Sequence, residues 1–417
     1  MSQSDTEVAI IGGGAAGIAA GRQLHDAGIK CLVVEARPRL GGRAWTITDP
    51  SGFAIDLGCG WLHSADRNPW ADVAHAQGRV IDKTPPPWGR AALTIGFPLP
   101  AQREYRAASQ AFYQRLENAA AEAHDGPAST LLAPDGRWNN LIDAVSTYIS
   151  GTELDHVSIL DFDRYDDSGV NWRLIDGYGA MIAVAAAKLT VALDCPVRRI
   201  DHSGKRVKIE TAKGVITADQ AIITLPSTVI AEQDDLFAPS LPEKVAAARG
   251  LPLGLADKLF LSLDDAEEFD QDSRLFGRTD RAGTATYHLR PFGRPQIEAY
   301  FGGRQAAALE AEGEHAFFDF AVSELTDLLG SAFVRRIRPI RIHRWGSDPF
   351  ARGSYSCALP GHADCRARLA APVDDRLFFA GEACSSHDFS TAHGGFLTGV
   401  SAAEQVVATR RRISSTR

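Results

Sequence analysis

Apolar positions in this chain gather in short runs broken by polar turns. Val8-Ala9-Ile10-Ile11 is too short for a helix and rich in β-branched side chains, which predicts a buried parallel strand. A helix is predicted over 15–27, closed by Gly28 at the position where a helix C-terminal glycine belongs, and a second strand over 29–34 ending on Glu35. Further helices are predicted over 70–77, 103–124, 138–150, up to 189, over 314–329 and from 393 onward. A β-meander is predicted from Cys195 to Ala218, with strands over 205–211 and 215–218, followed by a separate buried strand over 221–225. Alternation predicts more strands over 255–261, 284–287 and 296–301, and an apolar strand leads into Ala380. The fold class is therefore α/β (α+β overall), a Rossmann-like domain joined to a mixed-sheet and helical one.

The turn between the first strand and first helix carries Gly12, Gly14 and Gly17 in the spacing G-x-G-x-x-G. The first glycine allows the tight turn, the second lets backbone approach a pyrophosphate, and the third lets helix and strand pack closely. The helix start, at Ala16, offers its positive end to the phosphates. Glu35 stands where a carboxylate accepts from a ribose hydroxyl. Strand before, helix after and acid in place raise this motif above a bare glycine turn. Past Glu35 come Ala36, Arg37, and then Gly41-Gly42-Arg43, which a nicotinamide enzyme does not require. Two glycines permit close backbone approach, and Arg43 is either a phosphate cation or a solvated arginine.

The Gly41-Gly42-Arg43 run resembles a segment of the flavin-containing amine oxidase superfamily, which includes monoamine, polyamine and L-amino-acid oxidases. Other stretches are similar to that family too: Asp56-Leu57-Gly58 with Gly60 and Trp61, Trp61-Leu62-His63 with Asn68-Pro69, Lys258 on its strand, Trp345 through Tyr355, and Ala380-Gly381-Glu382 with His393-Gly394-Gly395-Phe396. The resemblance covers nearly the whole chain except about 80–170. It implies an FAD-binding domain from 1–75, 185–255 and 370–417 and a substrate domain from 76–184 and 256–369, with the sheet from Lys258 to Phe301 roofing the substrate cavity.

The same resemblance implies cofactor contacts at Gly12, Gly14, Ala16, Gly17, Glu35, Ala36, Arg37, Gly42, Arg43, Gly58, Gly60, Trp61, Val197, Gly381, Glu382, Gly395 and Phe396. The catalytic set would be Lys258, Tyr355, Phe396, His63 and Trp345. Lys258 would hold water at the flavin, unless it is an ordinary strand lysine facing solvent. Tyr355 and Phe396 would wall the amine, unless Phe396 is plain core. His63 faces the substrate channel or bonds the backbone near the flavin. His387 and His393 each have a structural or a substrate role. Ser354 stands where monoamine oxidases have the cysteine that bonds the flavin, so FAD is expected to be non-covalent. The implied reaction oxidises the C–N bond of a primary or secondary amine, polyamines included, to an imine or aldehyde, with O2 reduced to hydrogen peroxide. Rivals are an amino-acid oxidase or desaturase of the same plan, a low-turnover FAD-bearing scaffold, and a nicotinamide dehydrogenase.

Composition narrows the setting. At 417 residues the chain exceeds one compact core, and 45% apolar with 23% charged residues is ordinary for a soluble enzyme. A net charge of −8 argues against nucleic acid and is compatible with steering a cationic substrate. No apolar run is long enough to span a bilayer. The polar start Met1 to Asp5 lacks the regions of a signal peptide, and Arg410 to Arg417 reads as a solvated basic tail. Six scattered cysteines fit a reducing cytoplasm. Asp161, Asp163, Asp166 and Asp167 read as a solvated acidic loop, with no metal spacing. The expected assembly is a monomer or homodimer.

Overall fold

The computed structural model describes residues 2–415; Met1 of the polar start and Thr416 and Arg417 of the predicted basic tail lie outside the described residues. Its larger sheet is centred on the strand Ser2–Ile11, which pairs in parallel with Cys31–Val34 on one edge and Gly214–Ile223 on the other. Cys31–Val34 continues to Val191–Ala192. Gly214–Ile223 pairs antiparallel with Val207–Thr211 through its first half and parallel with Leu377–Phe379 through its second. The strands thus come from the two ends of the chain and from a central stretch. Both faces of its second half, Val8 to Ile11, are buried, which is why that run is continuously apolar. Val8 and Ile10 pack with Ala16, Ala20, Ala402 and Val406 of the two covering helices, Ala15–Asp26 and Ala392–Ser415. Ala9 and Ile11 face the opposite core with Ile209, Ile223, Ile230 and Leu369.

The strands expected separately over 215–218 and 221–225 are one, Gly214–Ile223. Asp219 and Gln220 do not interrupt it because its other edge runs in register with Ser2–Ile11 along nearly its whole length. The predicted tail is a correction as well. Helix Ala392–Ser415 carries Arg410, which pairs with Glu7 and Asp219, and Arg412, which pairs with Asp375. These arginines pin the helix end to the sheet.

The second sheet is antiparallel, in the order Ser273–Phe276, Thr286–Leu289, Gln296–Gly302, Ala256–Leu263, Ile337–Ile342. Alternation divides its side chains. Leu259, Leu261, Tyr287, Ile297 and Phe301 pack with Phe317 and Leu325 of helix Glu314–Leu329. Lys258, Tyr300, Thr286 and Phe276 are aligned across four neighbouring strands on the opposite face. Helices Leu99–Ala121 and Asn139–Ser150 pack near that face, with Phe97, Trp138, Leu141 and Phe276 in a shared core.

The acidic stretch is a solvated loop only in part: Asp166 and Asp167 are exposed in one, whereas Asp161 and Asp163 stand on a short helix and Asp161 is buried. Ser158 caps the short helix Ile159–Arg164, its side chain accepting from the Asp161 amide. Asp161 is buried and receives both prongs of buried Arg366, at 2.6 and 2.8 Å. Asp166 pairs at the surface with Arg67, and Asp167 accepts from the Gly169 amide. Among the described residues no helix is long and apolar enough to cross a membrane.

Candidate active site

A single chamber of about 1120 Å³ lies between the two sheets. That exceeds the roughly 1,000 Å³ at the upper end of ordinary small-molecule sites and leaves room for a cofactor together with a substrate. One end is bounded by Glu35, Arg37 and Val197, the middle by Gly12, Gly14, Arg43, Gly381 and Glu382, and the other end by Trp61, His63, Tyr300 and Tyr355.

The Glu35 end is pre-organised. Gly13 N–H donates to Glu35 Oε2 at 2.7 Å, and Arg37 N–H donates to Oε1 at 2.9 Å. Each carboxylate oxygen takes one backbone amide and retains further acceptor capacity. The Arg37 guanidinium pairs with Asp348 at 2.6 Å through Nη2 and lies 3.8 Å from Glu35 Oε1 through Nη1.

The middle section is two facing glycine loops. Gly12, at φ +111°, makes the turn, and a Cβ there would lie 2.5 Å from Thr224 Oγ1. A Cβ on Gly17 would lie 1.9 Å from the Gly12 carbonyl oxygen, so only glycine lets helix and turn meet. Gly14 bridges to Gly41 in parallel, and a Cβ on Gly42 would lie 3.2 Å from Gly14 Cα. The helix starting at Ala15 has no side-chain cap, so its first amides are open to an anion. Gly395, at the start of the C-terminal helix, comes close to Ala15 and Ala16. This combination of a ribose-type carboxylate, uncapped amides and backbone stripped of side chains fits a dinucleotide.

Arg43 joins the two chain ends. Its Nη1 donates to Glu382 Oε1 at 2.8 Å and to the Ser354 carbonyl at 2.9 Å. Glu382 Oε2 accepts from Ser356 Oγ at 2.6 Å and from the Ser390 amide at 2.9 Å. Burial alone would raise the Glu382 pKa, but Arg43, the Ser356 hydroxyl and Arg366 together hold it below the usual range. Arg43 is thus an ion-paired strut at the chamber wall, not a solvated arginine.

At the far end Lys258 is buried, with Nζ 2.9 Å from Glu298 Oε1 and donating to the Asp56 carbonyl at 3.2 Å. Burial would lower its pKa, but Glu298 outweighs burial and raises it, so the amine stays charged. It does not face solvent. It lies behind the wall, 3.3 Å from where a Cβ on Gly60 would stand and over the Tyr300 ring at 5.4 Å. Trp345 is buried and donates from Nε1 to the Leu57 carbonyl at 3.1 Å, and a Cβ on Gly58 would lie 1.8 Å from the Arg43 carbonyl oxygen and 3.0 Å from the Trp345 ring.

His63 reaches the chamber wall. Asn171 Nδ2 donates to the Gly169 carbonyl, which turns Asn171 Oδ1 toward His63 Nδ1 at 2.6 Å. Nδ1 therefore carries the proton and Nε2 is left as an acceptor. Burial holds the His63 pKa below its usual value against the opposing pull of Asp167. Tyr355 also lines the chamber, and its hydroxyl donates to the Tyr148 carbonyl at 2.5 Å.

Phe396 is corrected. It does not line the chamber opposite Tyr355. Its ring meets Trp70 edge-on at 4.9 Å and packs against a core containing Ile18, Leu62 and Met181. A helix turns 100° per residue, so Gly395 at the wall directs its neighbour inward to the core. The wall residues on the loop before it are Phe389, Ser390, Thr391 and Ala392, so the aromatic side chain that this segment gives the wall is Phe389. Gly17 likewise serves packing without reaching the wall. Ala16, Ala36, Gly58, Gly60 and Trp61 all line the chamber. His387 Nδ1 donates to the Arg164 carbonyl at the surface, and His393 is buried against Asp388.

Three thiols reach the wall: Cys59, Cys195 and Cys357. Burial pushes Cys59 and Cys357 up to about 12, which keeps both as poorly nucleophilic thiols. Ser354, at the position compared with the flavin-bonding cysteine, accepts from the Ala256 amide and donates to its carbonyl. Sequence reasoning missed Glu298, Tyr300, Asn171, Thr391 and Arg274. Period-2 alternation in Gln296–Gly302 puts Glu298 and Tyr300 on one face, but only the strand register brings them to Lys258.

The family model described as flavin containing amine oxidoreductase matches residues 15–78 and 65–407. Polyamine oxidase 4 of Oryza sativa subsp. japonica is 29% identical over 98% of this chain and 90% of its own length. Polyamine oxidase 2 of Arabidopsis thaliana is 29% identical over 97% and 88%. The human lysine-specific histone demethylase 2 is 25% identical over 96% of this chain, which covers 53% of that protein. A solved putrescine oxidase with redesigned cofactor binding superposes with TM-score 0.79 at 16% identity, over 98% of this chain and all of its own, a likeness of fold.

Proposed function

The chain belongs to the flavin-containing amine oxidoreductase family, and from that premise we propose how its chamber works. It is an FAD-dependent amine oxidase. The reaction is oxidation of the C–N bond of a primary or secondary amine to an imine, which water converts to an aldehyde and a released amine. The relatives named for polyamines support that substrate class as the first to test. FAD bound along the chamber supplies the two-electron acceptor and passes the electrons to O2, giving hydrogen peroxide.

Glu35 accepts ribose hydroxyls, while Gly12, Gly14, the uncapped helix start and Arg43 take the pyrophosphate. Gly381 and Glu382 bound the same section. Gly58, Gly60, Trp61 and Trp345 bound the space for the ring. His63 Nε2 accepts an amine N–H, and Tyr355 offers one aromatic face. No side chain is assigned as general base, because the amine's own lone pair drives the step once it is oriented. Lys258, held charged by Glu298, positions water beside Gly60. The cofactor is non-covalent, a reading supported by the serine at 354 and the neutral wall thiols. The protein works as a monomer or homodimer in the cytoplasm, where its six free cysteines stay reduced.

The observation carrying this reading is one continuous chamber from Glu35 to Tyr355. A peroxide-coupled screen of the purified yellow protein with monoamines, polyamines and amino acids tests it. Steady peroxide release is expected. A yellow protein inert toward every amine would leave only a flavin-binding scaffold.

A further inference from the structure

Arg274 is an unusual chamber residue. It stands on the edge strand Ser273–Phe276, and its side chain reaches the wall. Nε donates to Thr286 Oγ1 at 3.1 Å, and the guanidinium lies 4.1 Å over the Phe276 ring. Neither terminal nitrogen has a hydrogen-bond partner, and no carboxylate pairs with this arginine, among the described residues. Four carboxylates line the chamber: Glu35, Asp161, Asp167 and Glu382. Three are engaged elsewhere, by backbone amides, Arg366 and Arg43, and Asp167 binds Gly169 and Ser64. Arg106, exposed and without an ion pair among the described residues, adds a second cation to the same wall.

Across the sheet, Tyr300 aligns with Thr286, and Thr286 with Phe276. The Arg274 strand is therefore two strand spacings, ~10 Å, from Tyr300. Between them lie Tyr148, whose ring meets Tyr300 edge-on at 6.4 Å, and Tyr105 at the wall. An amine held near Tyr355 and Tyr300 thus has an apolar, aromatic-sided passage running from it to an uncompensated guanidinium. A second ammonium at that point would meet like charge. A carboxylate would meet two free N–H donors in a fork matched to its geometry.

We propose that the substrate amine carries an anionic group, a carboxylate at the end of an aliphatic arm of several carbons, and that Arg274 receives it. This rests on the amine-oxidase reading and narrows it. An α-amino acid is too short, since its carboxylate sits one carbon from the nitrogen-bearing centre. An ω-amino carboxylate or an N-carboxyalkyl amine has the required reach.

The test compares aminohexanoate and aminooctanoate with diamines of equal carbon count, on the flavin-loaded enzyme and its Arg274→Gln and Arg274→Lys variants. The wild type is expected to favour the amino carboxylates. Arg274→Gln is expected to lose about 10- to 100-fold in kcat/KM on them, chiefly through KM, with no loss on diamines, and Arg274→Lys to recover part. Octanoate binding, followed by calorimetry, is expected in the wild type and lost in Arg274→Gln. Preference for diamines in the wild type, or octanoate that fails to bind it, overturns the proposal even if Arg274→Gln does not fold. Peroxide from polyamines alone would overturn the carboxylate site and keep the oxidase. Arg274-dependent octanoate binding without peroxide from any amine would keep the anion site and overturn the oxidase reading.

Discussion

Arg43 and Glu382 are separated by 339 positions in the chain and by 2.8 Å in space. The pair fastens the second glycine loop to the strand-end turn that precedes the last helix, and both side chains are mostly buried. Arg43→Ala takes from Glu382 the cation that it hydrogen-bonds, leaving the more distant Arg366, at a cost of up to about 3–5 kcal/mol for a broken buried pair. The expected outcome is a lower unfolding midpoint together with loss of flavin during purification. Full flavin retention in Arg43→Ala would remove the pair from the cofactor cradle.

Lys258 and Glu298 form the second such relationship, at 2.9 Å. Lys258→Met is expected to slow reoxidation of the flavin by O2 much more than its reduction by amine, measured in separate stopped-flow half-reactions. The substitution strands a buried carboxylate, so it also destabilises. The double variant with Glu298→Gln removes that stranded charge and should regain stability without regaining the reoxidation rate. Equal slowing of both half-reactions would reduce Lys258 to a structural role.

The nucleotide half of the molecule was legible because each of its features is local. The strand, the glycine turn, the helix and Glu35 lie within thirty-odd residues, and every one has a short-range physical cause. The fold class follows from the same stretch. What escaped was whatever register or helical rotation decides. Asp161 read as solvated because its partner Arg366 lies 205 positions away. Gly214–Ile223 read as two strands because polar Asp219 and Gln220 interrupt the apolar pattern, although both edges of the strand are paired there or beside it. Phe396 was expected at the wall from motif position, and one residue of helical rotation sends it to the core. Arg274 carries no sequence signal, since only the arrangement of four strands shows that nothing neutralises it.

Tyr355 and Phe396 should now separate in experiment. Tyr355→Ala removes an aromatic wall and is expected to lower kcat/KM for amines at least tenfold, whereas Tyr355→Phe keeps the ring and loses only the bond to the Tyr148 carbonyl, about 1 kcal/mol. Phe396→Leu is expected to lower the melting temperature while leaving KM unchanged. A raised KM in Phe396→Leu would return that residue to the substrate wall.

Acid precipitation should release all the flavin into the supernatant. Yellow colour retained in the pellet would show a covalent bond, and Cys59 or Cys357 would then have to ionise despite burial that holds each near 12.

Asp348 ties the Glu35 end of the chamber to its acid stability. It accepts from Arg37 Nη2 at 2.6 Å, from the Phe350 amide at 2.9 Å, and pairs with His343 at 3.0 Å. Burial opposes ionisation here, but His343 and Arg37 outweigh it and hold the carboxyl well below the usual range. A carboxyl depressed on folding binds fewer protons in the native state than in the unfolded chain. Its contribution is complete above the unfolded value, roughly 4, and is lost as pH falls further toward the native one. Unfolding free energy should therefore fall as pH drops below about 4. Asp348→Asn should lower stability at neutral pH and flatten that acid limb by close to one proton. Denaturant midpoints measured from neutral to acid pH check this, and an unchanged slope in Asp348→Asn would mean the Arg37–Asp348 contact contributes nothing to folding.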